Sequence, residues 1–277
     1  MNVYAIGASR NIGYHSACRL LAKGATVTFL LRSPSTFDND EKIQPYVRAG
    51  TARLVKGDAL KPEDVKRGWE EAQSTKDGTV DLVLFSVGGT PSFHPTKGFV
   101  ITPHDLCTRS VLNVVTTMPA SLRAPAAQPR FVIISSTGLS RASHAELPLL
   151  LKPFYGYALR SPHTDKFAME RVIAHCAGWD WDDEVPNAEV LPPTWAAEPG
   201  VPAFGELKHV VAIRPALLTS GSCKGDTKKN GKAPYRVKDG ELTDSYTISR
   251  EDVAHFLTEG LLSDWDKWEG KRVHIAY

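Results

Sequence analysis

Three things that would each set the class of this chain at once are missing from it. No apolar run approaches the roughly twenty residues that cross a bilayer, so nothing reads as a transmembrane helix. No charge of one sign dominates: 33 Lys and Arg stand against 31 Asp and Glu, a formal +2 over 277 residues. A dedicated nucleic-acid binder would carry a clear basic excess. Metal and disulfide patterns are absent too. The four cysteines, Cys18, Cys107, Cys176 and Cys223, are far apart with no Cys-x-x-Cys pair, and the nine histidines show no His-Glu-x-x-His spacing. Free thiols in a reducing compartment follow, with the cytoplasm as the expected location and no metal expected. A strand-like run, Val3-Tyr4-Ala5-Ile6, starts at the third residue and leaves no room ahead of it for a signal or transit peptide. The expected partner is a small-molecule substrate, with no nucleic acid and no membrane, in a monomer or homodimer.

What is present is enough to fill a core, with 42% apolar residues and 21 glycines. Short apolar runs at 3–6, 26–31, 52–55, 81–86, 130–135, 210–214 and 272–276 are predicted strands. Amphipathic stretches at 12–22, 62–73, 102–118, 163–177 and 250–262 are predicted helices between them. That alternation is the pattern of an α/β fold, a doubly wound Rossmann-type parallel sheet with helices on both faces. We expect one domain over 1–277, with 1–135 mainly the dinucleotide-binding half and 136–277 mainly the substrate-binding half. One stretch breaks the rhythm. From about 182 to 208 the chain carries Pro186, Pro192, Pro193, Pro199 and Pro202, with Trp195 and Phe204 among them. Loops of this length in compact domains are usually functional or disordered. The insert is therefore read either as a surface excursion or as a substrate lid.

The chemistry is concentrated at strand ends. Gly7-Ala8-Ser9-Arg10-Asn11-Ile12-Gly13 follows a predicted strand and opens a helix. Gly7 allows the tight turn, Gly13 lets helix and sheet approach, and the backbone N–H groups between them suit a pyrophosphate. In NAD-binding units an acidic residue commonly ends the second strand and bonds the ribose 2′-hydroxyl. Here that strand ends in Arg32-Ser33, with no acid before Asp38. A guanidinium and a hydroxyl suit a 2′-phosphate, Arg10 can add a second cation, and the expected cofactor is NADP(H). Asp58-Ala59 follows the third strand and is placed near the adenine, and Ser86-Val87-Gly88-Gly89 follows the fourth, where small residues give the backbone a close approach to the dinucleotide.

Taken together these pieces resemble the short-chain dehydrogenase/reductase superfamily. Ser135-Ser136-Thr137, Arg214-Pro215-Ala216-Leu217-Leu218-Thr219 and Ile248-Ser249-Arg250-Glu251-Asp252-Val253-Ala254 resemble its atypical branch, the NmrA-like proteins and the flavin/biliverdin-type reductases. The likeness runs nearly end to end apart from the insert, and it adds Pro215 to the expected cofactor contacts. Its best-known members use Tyr-x-x-x-Lys on the helix after the fifth strand. Lys166 is the matching lysine, but the residue four before it is Pro162. The resemblance thus implies Lys166 at the ribose and Ser136 at the substrate; with the tyrosine missing, Tyr157 and His163, both outside that motif, are the alternative proton donors. It implies NADPH-dependent hydride transfer to a small substrate. Phe154, Tyr155, Tyr157, Trp179, Trp181 and Trp195 near the expected mouth suggest an apolar or aromatic one. Two other readings are a redox sensor that binds NADP(H) and docks a partner, and a non-redox isomerase or cyclase on the same fold.

Overall fold

All five residues of β1 (Asn2–Ile6) are buried, as expected of a strand covered by helices on both faces. Its side chains alternate: Val3 and Ala5 join one core, Tyr4 and Ile6 the other. The same construction repeats through α1 (Asn11–Ala22), β2 (Thr26–Leu31), α2 (Gln44–Arg48), β3 (Ala52–Lys56), α3 (Pro62–Gln73) and β4 (Leu82–Phe85). A short hairpin, β5 (Ser92–His94) and β6 (Gly98–Val100), then precedes α4 (Leu106–Thr116) and β7 (Arg130–Ile134). Next come α5 (Arg141–Ala145), α6 (Lys152–Tyr157), the long α7 (Arg160–Ala177), β8 (Val210–Pro215) and β9 (Leu217–Thr219). The chain ends with β10 (Arg236–Asp239), β11 (Thr247–Ser249), α8 (Arg250–His255), α9 (Trp265–Trp268) and β12 (Arg272–Ala276). This computed structural model describes residues 1–75, 78–96, 98–146, 149, 152–227 and 234–277, without the side chains of 142, 153–155 and 160. The expected pocket-wall rings of Phe154 and Tyr155 lie outside the described residues.

The main sheet has the order β10-β12-β8-β7-β4-β1-β2-β3. Every pairing is parallel except that of β10 with β12. From β1 the chain winds outward through β2 to β3, then crosses back to β4 on the other side. That reversal opens a crevice beyond the carboxyl ends of β1 and β4, where such folds take their ligands. One face of the sheet is covered by α1, α8 and α9, with Leu20, Phe256 and Trp268 in its core. The other is covered by α3, α4 and α7, with Trp69, Val114 and Val172.

All seven expected strands are present. The helix expected at 250–262 is regular only to His255; it widens into a π-helical turn at Phe256–Leu261 and tightens to a 3-10 turn at Leu262–Asp264. The insert is largely exposed but is anchored to the core at several points. Trp195 is 6% exposed and joins Val190, Leu191 and Leu207 in the α3–α4–α7 core. Gly205 and Leu207 donate backbone hydrogen bonds to the carbonyls of His175 (2.9 Å) and Cys176 (2.8 Å) at the end of α7. The Gly200 carbonyl accepts from Arg123 at 2.8 Å. Residues 195–207 therefore brace the ends of α4 and α7 farthest from the crevice. Phe204, by contrast, stays exposed.

Candidate active site

The crevice has two compartments. The outer, about 570 Å³, runs across the ends of β1, β2 and β3 and is lined by Gly7, Ser9, Arg10, Arg32, Asp58, Ala59, Val87 and Gly88, among others. The inner, about 210 Å³, reaches β7 and α7 and is lined by Asn11, Ile12, Gly13, Ser86, Ser135, Pro162, Lys166, Leu218 and Arg250. Gly7, Arg10, Val87, Gly88 and Gly89 line both and mark the seam.

The seam is shaped by what cannot be there. Gly7 has φ +79°, and a Cβ on it would lie 2.5 Å from the Val87 nitrogen. A Cβ on Gly13 would strike the Ser86 hydroxyl, which donates to the Ile6 carbonyl at 3.2 Å. The helix start thus lies against the β4 loop with no side chain between, a cradle whose backbone donors suit a pyrophosphate. Arg10 reaches across it, donating to Thr90 Oγ1 at 2.6 Å.

Cations collect at the outer end. Arg32 also borders an adjoining groove of about 510 Å³ with Lys56, Lys61 and Arg67. Arg67 is engaged by Asp64 at 2.6 Å. The Asp64 carboxylate also accepts from the Asp58 backbone at 2.8 Å, and that bond does most to hold its pKa below the ordinary value. Arg32 has no carboxylate partner among the described residues. Ser33 beside it shares a 2.8 Å hydroxyl contact with Ser35. The Asp58 carboxylate accepts from the Leu60 backbone at 3.0 Å, so its loop is preformed.

At the inner end, Lys166 Nζ donates to the Ile134 carbonyl, the last of β7, at 2.7 Å. Its place is set by its neighbour. The buried Asp165 carboxylate accepts from the backbone nitrogens of Cys107 (2.7 Å) and Thr108 (2.9 Å) and from the Thr108 hydroxyl (2.8 Å). A carboxylate on the N-terminus of α4 satisfies donors that the helix leaves open, and it locks α7 to α4. Lys166, one residue on, is thereby turned to the crevice. Cys107 lines the pocket, but burial pushes its thiol up to about 12, so it stays protonated.

Not every expected residue meets there. Ser135 lines the inner pocket, its hydroxyl beside the buried Glu170. Ser136 turns away, donating to the Thr137 carbonyl at 3.2 Å. Pro215 accepts from the Thr137 backbone at 2.9 Å and lines neither compartment. Tyr157 is 47% exposed, donates to the Pro95 carbonyl, and lines a separate cavity of about 600 Å³ with His104, Thr164 and Glu189. His163 keeps some exposed surface, yet desolvation and then Lys166 and His144 pull its imidazole down to about 4. Leu218 and Arg250 were not singled out by sequence reasoning. They reach the pocket because β9 and β11 pair in parallel, Leu218 opposite Ile248, a contact across thirty residues that no local pattern announces.

A sheet order that reverses at β1/β4, a glycine cradle at the switch point and a cation past β2 define a Rossmann-type dinucleotide-binding protein. The model of an NAD(P)H-binding family matches residues 7–181, and the chain belongs to that family. The match ends where the insert begins. "Reductase pytE" of Aspergillus terreus is 28% identical over 93% of this chain and 90% of its own. "Oxidase pynE" of Aspergillus niger is 28% identical over 95% and 90%. Among solved structures, ChuY, an anaerobillin reductase from Escherichia coli O157:H7, superposes with a TM-score of 0.54 at 16% identity, covering 99% of this chain and 96% of that one. The oxidoreductase ylbE from Lactococcus lactis gives 0.57 at 12% identity, covering 100% and 90%. These likenesses agree with the atypical short-chain dehydrogenase/reductase resemblance of the sequence. No helix among the described residues is long and apolar enough to cross a membrane.

Proposed function

We propose that this protein is an NADPH-dependent reductase of the atypical short-chain type, acting on a small apolar or aromatic substrate. The observation that carries the reading is a single crevice with an unpaired Arg32 at one end and Lys166 at the other. Arg32 replaces the acidic residue that would favour NAD, and a charge-assisted bond from it to a 2′-phosphate fits the outer compartment. The names of the relatives, a reductase and an oxidase, support redox work. Bound in this crevice, a reduced nicotinamide would supply the hydride.

The chain's own residues then do the rest. Ser9, Arg10, Asn11 and Ile12 offer the pyrophosphate cradle, and Asp58 and Ala59 flank the adenine. Lys166, fixed by Ile134 and by the Asp165 lock, holds ribose hydroxyls and stabilises negative charge developing on a substrate oxygen. Ser135 and Ser86 are the serines on the wall of the inner pocket, the Ser135 hydroxyl being buried beside Glu170. Pro162 stands where related enzymes keep their acid tyrosine. The Tyr157 hydroxyl is committed to Pro95, and His163 is neutral at pH 7. Proton delivery therefore falls to water entering the open crevice. The test is NADPH consumption against a panel of carbonyls, imines, enones and flavins, followed by nicotinamide absorbance. We expect turnover with NADPH in preference to NADH. No consumption with any acceptor would overturn the reading in favour of a sensor or a non-redox enzyme.

A further inference from the structure

The inner pocket carries Arg10, Lys166 and Arg250 on its walls and, among the described residues, no carboxylate. Two of these cations have work in the dinucleotide reading: Arg10 sits at the seam and Lys166 at the ribose. Arg250 has none. It lines the inner compartment but not the outer one, and among the described residues its side chain has one hydrogen-bond partner, the Ser220 hydroxyl at 3.3 Å.

Its position follows from the cap on α8. Ser249 caps α8 by accepting from the Asp252 backbone at 3.0 Å, which sets Arg250 as the first helical residue. A helix start favours acids, and Glu251 and Asp252 supply them. Glu251 is taken by the Cys223 backbone at 3.0 Å and Asp252 by Gly225 at 2.8 Å. Neither neutralises Arg250. A guanidinium in that place is unhelpful to the helix, and it lines a pocket that has an apolar part in Leu218, Ile101 and Ile134.

We propose that Arg250 is a substrate-recognition residue, and that the substrate carries a carboxylate beside its apolar body. The fork of the guanidinium pairs two donors with a carboxylate while Leu218 and Ile101 cover the carbon skeleton. This names the substrate class of the reductase reading above and rests on it.

The test separates the two. Cinnamate and phenylpyruvate, each beside its methyl ester, are titrated by calorimetry into the NADP⁺-saturated protein, and NADPH is titrated separately. We expect at least one acid to bind at least tenfold more tightly than its ester. Arg250→Gln should remove that preference, Arg250→Lys should restore part of it, and NADPH affinity should stay within about twofold. Esters that bind as well as their acids would overturn the proposal. So would an Arg250→Gln variant that loses tenfold or more in NADPH affinity, since Arg250 would then serve the dinucleotide. If the wild-type protein takes no NADPH, the reductase reading fails. The same titrations on cofactor-free protein then decide the anion site alone, an acid preference lost in Arg250→Gln supporting it and no preference refuting it.

Discussion

The two compartments of the crevice are built from different material. The outer one is mostly backbone and glycine, supplied by the ends of β1 to β4 within the first ninety or so residues. The inner one shares that glycine-rich wall at Gly7, Gly13, Gly88 and Gly89, but its far wall is made by side chains from much later in the chain, Pro162 and Lys166 of α7, Leu218 of β9 and Arg250 of α8. The outer compartment depends on local turns and generic donors, so it recognises what every dinucleotide shares. The inner one depends on tertiary placement: Asp165 locking α7 to α4, and β9 pairing with β11. The proposed division between cofactor binding and substrate choice can therefore be tested by perturbing the outer wall and the far inner wall one at a time.

The largest perturbation tests the brace behind the inner half. Trp195→Ala empties a buried site in the α3–α4–α7 core. A truncation of this kind costs about 3–5 kcal/mol. Chemical denaturation should show that loss, with NADPH affinity at low denaturant unchanged. Unchanged stability would return the insert to the status of a loose lid.

Acid should act on the second half as well. Burial holds the imidazole of His163 down at about 4 and that of His274 at about 3, below the ordinary histidine value. Between the ordinary value of about 6.5 and these lowered ones, the unfolded chain binds protons that the folded chain refuses. Stability is therefore full above about pH 6.5 and falls as pH drops toward 4, by up to roughly 1.4 kcal/mol per pH unit for each histidine. Urea midpoints measured from pH 7 to pH 5 should decline steadily; a flat profile would remove these histidines from the account.

A smaller effect should split the compartments directly. Asp165→Asn weakens the charge-assisted cap on α4 and loosens Lys166, at a cost of about 1–3 kcal/mol. Binding of adenosine 2′-phosphate, which needs only the outer compartment, should be unaffected, while kcat with NADPH falls. Equal losses in both would mean that the compartments are not independent.

The same division explains what the sequence disclosed. The seven parallel strands and the Gly7–Gly13 turn were legible because period, burial and turn chemistry act over a few residues. Arg236–Asp239 was not, being an exposed, polar edge strand. The proline-rich insert looked like a loop, since nothing local marks Trp195 as buried. At the end of β7, where Ser136 was expected at the substrate, it is the adjoining Ser135 that lines the inner pocket. Arg250 lay within a stretch already noted for its family likeness, yet its direction depends on a strand pairing visible only in three dimensions.

The central claim is that Arg32 makes this crevice an NADP(H) site. One charge-assisted bond to the 2′-phosphate contributes roughly 1.5–3 kcal/mol, or about ten- to a hundredfold in affinity. Calorimetric titration of NADPH and NADH into the wild-type protein and Arg32→Ala measures it directly. The account predicts that preference for NADPH in the wild type and its near disappearance in the variant. Equal wild-type affinities, or a preference that survives Arg32→Ala, would contradict it.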